Sequence, residues 1–480
     1  MKRRLLHLPP KCFRFHFAAL SSNSKELPKN FKPQRPPHYR STHPYVPLGT
    51  KLDEFPNAAD ADGTGPRLYE YWKMGEFVRK MPTASERIEF VNPFQRQWSR
   101  FEKKWHREHH PDLIKPRKAW NVPPIPLYFD PLNFYKYITK TRVVEGLDQC
   151  FGDLNPPTKT FEKKIIEALQ VNEKTQRTLE EKCDFLLRNV VDATLCTLSP
   201  TVPHLMDCSV NYNPRCESFW IRSGFLSMYD QESREANPHR RRRRFPCDDI
   251  RQLGELTFVL RDNLSVQVRD KHPLSPVFDF SNENELYREI FDDSTVATDD
   301  VIYSPLIFNM WPDENPLWQC PGCEPDCGDP NLFGRLALKS STSLIQRCDF
   351  WKVYGEERET VIKDCLTASA VSSLFSWLNG QAHILGYTQY NDIESPLASQ
   401  LVLFDGQQFF FAFGQLNTIA INIDVKGFVN ERSNVCYIEG PFALYDEIEE
   451  EKFFHFENGT KIEGLNQHVL KRLVQMFLRV

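Results

Sequence analysis

The stretch Asp405–Ile421, DGQQFFFAFGQLNTIAI, decides how the chain is read. It runs apolar residues without a break from Phe409 to Phe413 and then sets Gln415, Asn417 and Thr418 among more of them. A half-buried strand alternates apolar and polar residues, whereas an unbroken run marks a strand covered on both faces. Preceded by PLASQLVLF (Pro396–Phe404), the run reads as the second arm of a β-hairpin whose two-residue turn is Asp405-Gly406. Gly414 signals a bend or bulge near its end. Gln415, Asn417 and Thr418 have no nucleophile-activating base in the neighbouring sequence, so they read as groups that satisfy backbone left unpaired where the strand ends.

Working outward, Glu357–Leu385 (ERETVIKDCLTASAVSSLFSWLNGQAHIL) places the small residues Ala368, Ser369, Ala370, Ser372 and Ser373 before bulky ones. That is the pattern of a helix packed tightly against a sheet. Leu465–Leu478 is an amphipathic closing helix. Earlier helical patterns cover Leu132–Leu147 and, as one long element, Thr160–Leu198, while Cys216–Phe225 and Gly254–Arg269 alternate and favour strand formers. The expected fold class is α+β: a mixed sheet with packed helices, plus long extended and helical N-terminal arms. The expected organisation is a leader at 1–25, a proline-rich extended arm at 26–66, a helical basic-aromatic segment at 67–150 and an α+β body at 151–480. The body carries a basic loop at 237–245 and a helix-hairpin-helix region at 357–480.

Charge is unevenly placed along the 480 residues. Residues 1–52 hold eleven Lys or Arg and one acid, Glu26, a balance of +10; with −4 on the whole chain, −14 falls on the remainder. The leader MKRRLLHLPPKCFRFHFAALSSNSK has no acid before Glu26 and ends in small and hydroxyl residues. This is the composition of a mitochondrial transit peptide; a disordered basic tail is the other reading. Pro9, Pro10 and the interspersed basic residues break the apolar run that a secretory signal needs. No apolar run approaches roughly 20 residues, so no membrane span is expected.

Two segments concentrate positive charge with the means to use it. From Arg96 to Trp120, basic and aromatic residues interleave: Arg96, Trp98, Arg100, Phe101, Lys103, Lys104, Trp105 and Arg107, then Lys115, Arg117, Lys118 and Trp120. Such a segment can set cations against phosphates and stack its rings on bases; it can equally pack a Trp face on the body with a solvated basic face. The second is the run Arg240, Arg241, Arg242, Arg243 and Arg244. Five adjacent guanidinium groups cannot all be paired locally, which points to a polyanion, here RNA, unless the run is only an exposed loop. His106, His109 and His110 lack the HExxH order and an identifiable third partner, so they carry no metal reading.

Thirteen cysteines, odd in number and scattered, read as reduced thiols rather than a disulfide framework. In WQCPGCEPDCG, Cys320, Cys323 and Cys327 form a half-site that needs a fourth ligand to close a zinc tetrahedron, and the next cysteine downstream, Cys348, has no CxxC partner. The alternative is a Gly/Pro-rich loop with incidental cysteines. The sequence holds no GxSxG elbow, Walker A loop, GxGxxG after a strand, HExxH or zinc-deaminase pattern. On a continuous helix Cys365 and His383 stand eighteen residues apart, roughly 27 Å along the axis, and cannot form a dyad. The acidic run Asp446–Glu451 could bind a cation, but the favoured reading is a solvated face.

The residues VSSLFSWLNGQAHILGY, SQLVLFDGQQFFFAFGQLNTIAI and NVCYIEGPFALYDEI, in this order, resemble the C-terminal region of a paired family of mitochondrion-specific ribosomal proteins of the large subunit. Its two types are large-subunit protein thirty-seven and the historical small-subunit protein thirty, also called programmed cell death protein nine. YITKTRVVEGL and FWIRSGF, the latter followed by a basic loop and DDIRQL, extend the likeness, which is closer to the thirty-type, whereas HPLSPVFD is closer to the thirty-seven type. The resemblance implies a non-enzymatic protein without cofactors, in the mitochondrial matrix. It also implies contacts with large-subunit ribosomal RNA and neighbouring ribosomal proteins, including the paralogue as a heterodimer. The Cys320 cluster and the five-arginine run are not features of the family and inherit no role from it. The competing class is a matrix enzyme or metal-binding protein that uses Cys320 to Cys327.

Overall fold

A computed structural model describes residues 119–152, 158–222, 256–280, 330–389, 392–421, 432–457 and 459–480, with short pieces at 80, 82, 225, 305, 308–312 and 322–323. In chain order, β1 (Trp120–Val122), α1 (Leu132–Thr139), β2 (Thr141–Glu145) and the short α2 (Asp148–Phe151) come first. Helices α3 (Lys159–Lys174) and α4 (Leu179–Leu198) lead into β3 (Ser209–Tyr212), β4 (Arg215–Arg222), β5 (Leu256–Asn263) and β6 (Val266–Asp270). The two-residue strands β7 (Trp311–Pro312) and β8 (Gly322–Cys323) precede β9 (Phe333–Ser340), α5 (Ser343–Trp351) and α6 (Glu356–Ile384). The chain closes with β10 (Leu397–Phe404), β11 (Gln408–Leu416) and β12 (Asn434–Ala443), the meander β13 (Glu447–Glu449), β14 (Lys452–Glu457) and β15 (Thr460–Glu463), and α7 (Gln467–Leu478).

The fold is α+β with mixed sheets. A seven-stranded sheet runs β2-β12-β11-β10-β9-β6-β3, parallel at β2/β12 and β10/β9 and antiparallel elsewhere. A second sheet runs β7-β1-β5-β4-β8, and the meander forms a third. The FFFAF run lies in β11, inside the main sheet, and its alternate residues part as a central strand requires. Phe409, Phe411 and Phe413 join the core under α3, α4 and α7, while Phe410 and Ala412 face the core under α6. The far side of α6 packs on the second sheet through Ala368, Phe375 and Leu378. The layers are therefore helices, main sheet, α6, second sheet.

Every residue of α6 from Cys365 to His383 is buried, which is why no polar stripe interrupts it. Two glycines let it approach the main sheet. A Cβ on Gly334 would lie 2.0 Å from the Trp377 ring, and one on Gly414 would lie 2.9 Å from Leu374 Cβ. The polar side chains of α6 are used across the layers. Gln381 accepts from Gly334 N at 2.9 Å and donates to Ser399 Oγ at 3.2 Å, and Asn379 Nδ2 donates to Ser218 Oγ at 2.6 Å. Lys339 on β9 is buried and meets Asp262 of β5 at 2.6 Å, Pro124 O at 2.9 Å and Ser373 Oγ at 2.9 Å, so one ammonium ties both sheets to α6.

The two sheets also share a ribbon. β3 and β4 pair with β6 and β5 in a single unslipped register, from Ser209↔Arg269 through Arg222↔Leu256. The ribbon passes from one sheet to the other at Asn213, which has φ +49° and donates from its amide to Ser265 O at 3.1 Å. It is one long antiparallel hairpin, bent between two sheets.

Several elements differ from the sequence reading. The helix expected over Leu132–Leu147 ends at Thr139, because Lys140 takes a left-handed φ of 49° and the β-branched TRVVE that follows pairs with β12. The single helix expected over Thr160–Leu198 is two, since Thr178 and Glu181 form a reciprocal capping box that starts a new helix. Gly254–Arg269 is split between sheets. The hairpin turn sits one residue later than expected: Asp405 N donates to Gln408 O, and Gly406, at φ +117°, takes the first central position. Gly414 marks neither bend nor bulge; it pairs regularly with Ser399 and Cys436 and makes room for Leu374, and the register shift lies at Phe409/Phe411.

Lys339→Ala leaves Asp262 buried and unpaired and is expected to cost about 3–5 kcal/mol, whereas Lys339→Met combined with Asp262→Leu should recover most of that loss. Urea unfolding midpoints of the wild type, single and double variants measure it. A single variant within about 1 kcal/mol of wild type would show that the pair does not hold the layers together.

Candidate nucleic-acid interface and its anchorage

The polar residues after β11 are structural. Gln415 Oε1 accepts from Val277 N at 2.8 Å, and its amide donates to Phe278 O at 2.9 Å and to Asn417 Oδ1 at 3.0 Å. Asn434 Oδ1 accepts from Asn417 N at 2.8 Å and from Thr418 N at 3.1 Å, while its Nδ2 donates to Thr139 O at 3.0 Å. Asp392 accepts from the Thr418 hydroxyl at 2.7 Å and from Ile419 N at 2.9 Å. Burial pushes the Asp392 carboxyl above its ordinary value against the pull of these donors and of Arg432. The side chains thus take up backbone groups that the sheet leaves unpaired, as the sequence implied.

The candidate RNA contacts Arg96, Arg100, Lys103, Lys104 and Arg107, with Lys115, Arg117 and Lys118, and the run Arg240–Arg244, lie outside the described residues, as do Cys320 and Cys327. What the structure places is where these segments join the body. β1, which begins two residues after Lys118, runs parallel to β5 with Trp120 opposite Phe258. β5 begins at Leu256, and Leu256 is paired with Arg222, the last residue of β4. The chain therefore meets the second sheet at Ala119, Arg222 and Leu256 on the same end, on neighbouring strands about 4.8 Å apart. Both basic segments connect there. Trp120, read from sequence as part of the stacking set, is wholly buried in the second sheet's core and is not available to a base.

The attachment points are built firmly. Arg222 is buried; its Nε donates to Tyr137 O at 2.8 Å, its Nη1 donates to Ile421 O at 2.9 Å, and its guanidinium lies 4.5 Å over the Tyr137 ring. Trp220 Nε1 donates to Ile138 O at 2.9 Å, and Phe225, beyond the strand, is buried against Phe258. Sequence reading missed Arg222 as an anchor, although the spacing of Ser218, Trp220 and Arg222 along β4 places all three on one face of the strand.

Cys365 and His383 both lie on α6, as the sequence implied, and face different work. Burial raises the Cys365 thiol, and burial lowers the His383 imidazole to about 4, where its Nδ1–H donates to Asn379 O at 2.7 Å. Among the described residues no group of three or more His, Cys, Asp or Glu is placed to hold a metal, and no helix is long and apolar enough to cross a membrane. The acidic residues Glu447, Glu449, Glu450 and Glu451 are exposed on the meander.

The described residues build an α+β body from two sheets around a buried helix, a scaffold that two segments basic in sequence join at one sheet end. Over residues 4–480 the chain matches the family described as mitochondrial 28S ribosomal protein S30 (PDCD9), and it belongs to that family. It is a mitochondrial ribosomal protein and resides in the mitochondrion.

Arg222→Met removes the charged donor from two backbone carbonyls and is expected to lower stability by about 2–4 kcal/mol. Hydrogen–deuterium exchange should show faster exchange around Tyr137–Lys140 and Leu256–Phe258, with the amides of α3 unchanged. Uniform acceleration across the molecule would mean that Arg222 has no local anchoring role.

Proposed function

We propose that the protein is a non-enzymatic structural component of the mitochondrial large ribosomal subunit that contacts ribosomal RNA and neighbouring ribosomal proteins and so supports mitochondrial translation. The observation that carries this reading is the convergence of both basic segments on one end of the second sheet. Arg240 to Arg244, together with Arg96, Arg100, Lys103, Lys104 and Arg107, contact RNA phosphates in this reading. The body, net acidic in composition, meets proteins, among them the paralogue as a heterodimeric partner. The large-subunit assignment rests on the resemblance of the SLFSW, GQA, DG and QLNT elements to the paired large-subunit proteins, whereas the family's description speaks of the 28S particle.

Sedimentation separates the two subunits directly. In gradients of mitochondrial lysate under subunit-dissociating conditions the protein should travel with large-subunit ribosomal RNA. Co-migration with small-subunit RNA would overturn the subunit assignment, and recovery at the top of the gradient would overturn assembly into the ribosome. Replacing Arg240–Arg244 by serine should make retention on the subunit more salt-sensitive. In direct RNA binding, loss of those five cations should flatten the slope of log affinity against log salt by about 3–5 units. An unchanged slope would remove the loop from the RNA contact.

A further inference from the structure

The corner where α5 meets α6 exposes two aromatic rings that the core does not use. α5 turns Leu344 and Cys348 into the core under α6, and after Trp351 the chain reverses at the left-handed Lys352, whose amide donates to Asp349 O at 3.2 Å. Val353 then returns to the same core, its amide donating to Cys348 O at 3.2 Å. Phe350 and Tyr354 stay outside: Phe350 is 83% exposed and Tyr354 64%. The corner is pinned in place. Arg358 Nη1 donates to Asp349 Oδ1 at 2.6 Å, tying α6 to α5, and the Arg358 guanidinium lies near the Tyr354 hydroxyl. Arg347, one turn before Phe350, donates to Pro126 O at 2.8 Å and holds α5 to the segment ahead of α1. Single apolar residues scattered on a surface are ordinary, but two rings presented together at a fixed corner mark a binding surface.

We propose that this corner docks a neighbouring ribosomal protein through a segment that carries apolar side chains beside lysine or arginine. The charge around the rings selects that partner. With Asp349 and Arg358 neutralising each other, the exposed charged groups left between Lys352 and Glu359 are the carboxylates of Glu356, Glu357 and Glu359 against the one ammonium of Lys352. Carboxylates repel phosphates, so RNA is disfavoured here although aromatic rings can stack on bases. The same carboxylates attract lysine and arginine, whose aliphatic stems cover aromatic surface while their charged heads stay at the rim. Glu356, Glu357 and Glu359 also suit the helix dipole in the first turn of α6, but the dipole gives no reason for the rings. This surface, which rests on the reading of the protein as a ribosomal component, gives the acidic body one defined point of contact with a protein.

The test compares the full chain alone with the full chain in purified mitochondrial ribosomal subunits. Hydroxyl-radical footprinting should oxidise Phe350 and Tyr354 in the isolated chain and find both protected about tenfold in the subunit, as rings at the centre of an interface are. Carbodiimide, which couples carboxylates to amines in contact, should join Glu356, Glu357 or Glu359 to a lysine of a neighbouring protein. Phe350→Ser combined with Tyr354→Ser should leave the urea midpoint of the isolated chain unchanged, because both rings are already mostly in water. In high-salt gradients, where phosphate contacts are weakest, the same variant should be retained on the subunit about tenfold less. Rings oxidised equally in the isolated chain and in the subunit would overturn the docking surface while leaving ribosomal assembly intact. So would an ultraviolet cross-link from Phe350 or Tyr354 to a nucleotide, a carbodiimide product with a second copy of this chain, or full retention of the double variant. Recovery of the wild type at the top of the gradient would overturn assembly itself, and the surface with it.

Discussion

The rest of the structure depends on a single constraint: from Cys365 to His383, α6 is enclosed between two sheets and has no face left for water. A helix in that position must be narrow where sheets press on it and must find a partner for each polar group it carries. The first demand is met by Ala368, Ser369, Ala370, Ser372 and Ser373 on the helix and by Gly334 and Gly414 on the sheet. The second is met in large part by bonds that run outward. Asn379 reaches β4, Gln381 reaches β9 and β10, and Ser373 accepts from a lysine that is also paired with β5. These outward bonds therefore also fix the sheets, and the layers cannot slide without leaving a buried donor or charge unpaired.

The same constraint explains the bent ribbon. Two sheets lying on opposite sides of one helix must be joined by chain that goes around it, and β3–β4 with β5–β6 do so without losing register. Keeping the pairing intact through the bend preserves the backbone hydrogen bonds that a loop would have left to be satisfied elsewhere. It also fixes where the arginine run is tethered. The connection between β4 and β5 starts and ends at the far end of the ribbon, beside the strand through which the N-terminal segments enter.

How much of this was legible in the sequence follows from the range of the signals. The FFFAF run announced a strand covered on both faces because that signal lies within one element. So did the small-residue helix, the closing amphipathic helix and the structural role of Gln415, Asn417 and Thr418. Boundaries that depended on a single backbone angle or cap were lost: the left-handed Lys140, the Thr178 capping box, and the one-residue shift of the turn at Gly406. Gly414 was misread for a related reason, since a glycine that makes room for a neighbour looks the same in sequence as one that bends the chain. Relations between distant segments were not legible at all. Nothing local marks Cys216 as opposite Cys323, Lys339 as paired with Asp262, or Trp120 as a core residue rather than a stacking one.

Anchorage is where fold and function meet. A basic segment that binds a polyanion contributes to assembly of the whole protein only if its root transmits the attraction to the body; otherwise the segment binds and the body trails. Both roots here are stronger than their lengths suggest. β1 has three residues, yet Trp120 is fully buried and the strand is paired on both sides, with β5 and β7. β4 ends in Arg222, whose guanidinium is committed to two carbonyls on α1 and on the segment after β11, and so to both neighbouring layers. An arginine buried in that way is spent on the protein's own carbonyls, and its role is mechanical. Arg222 thereby stands as a buried arginine at the root of the segment that holds Arg240–Arg244 in sequence.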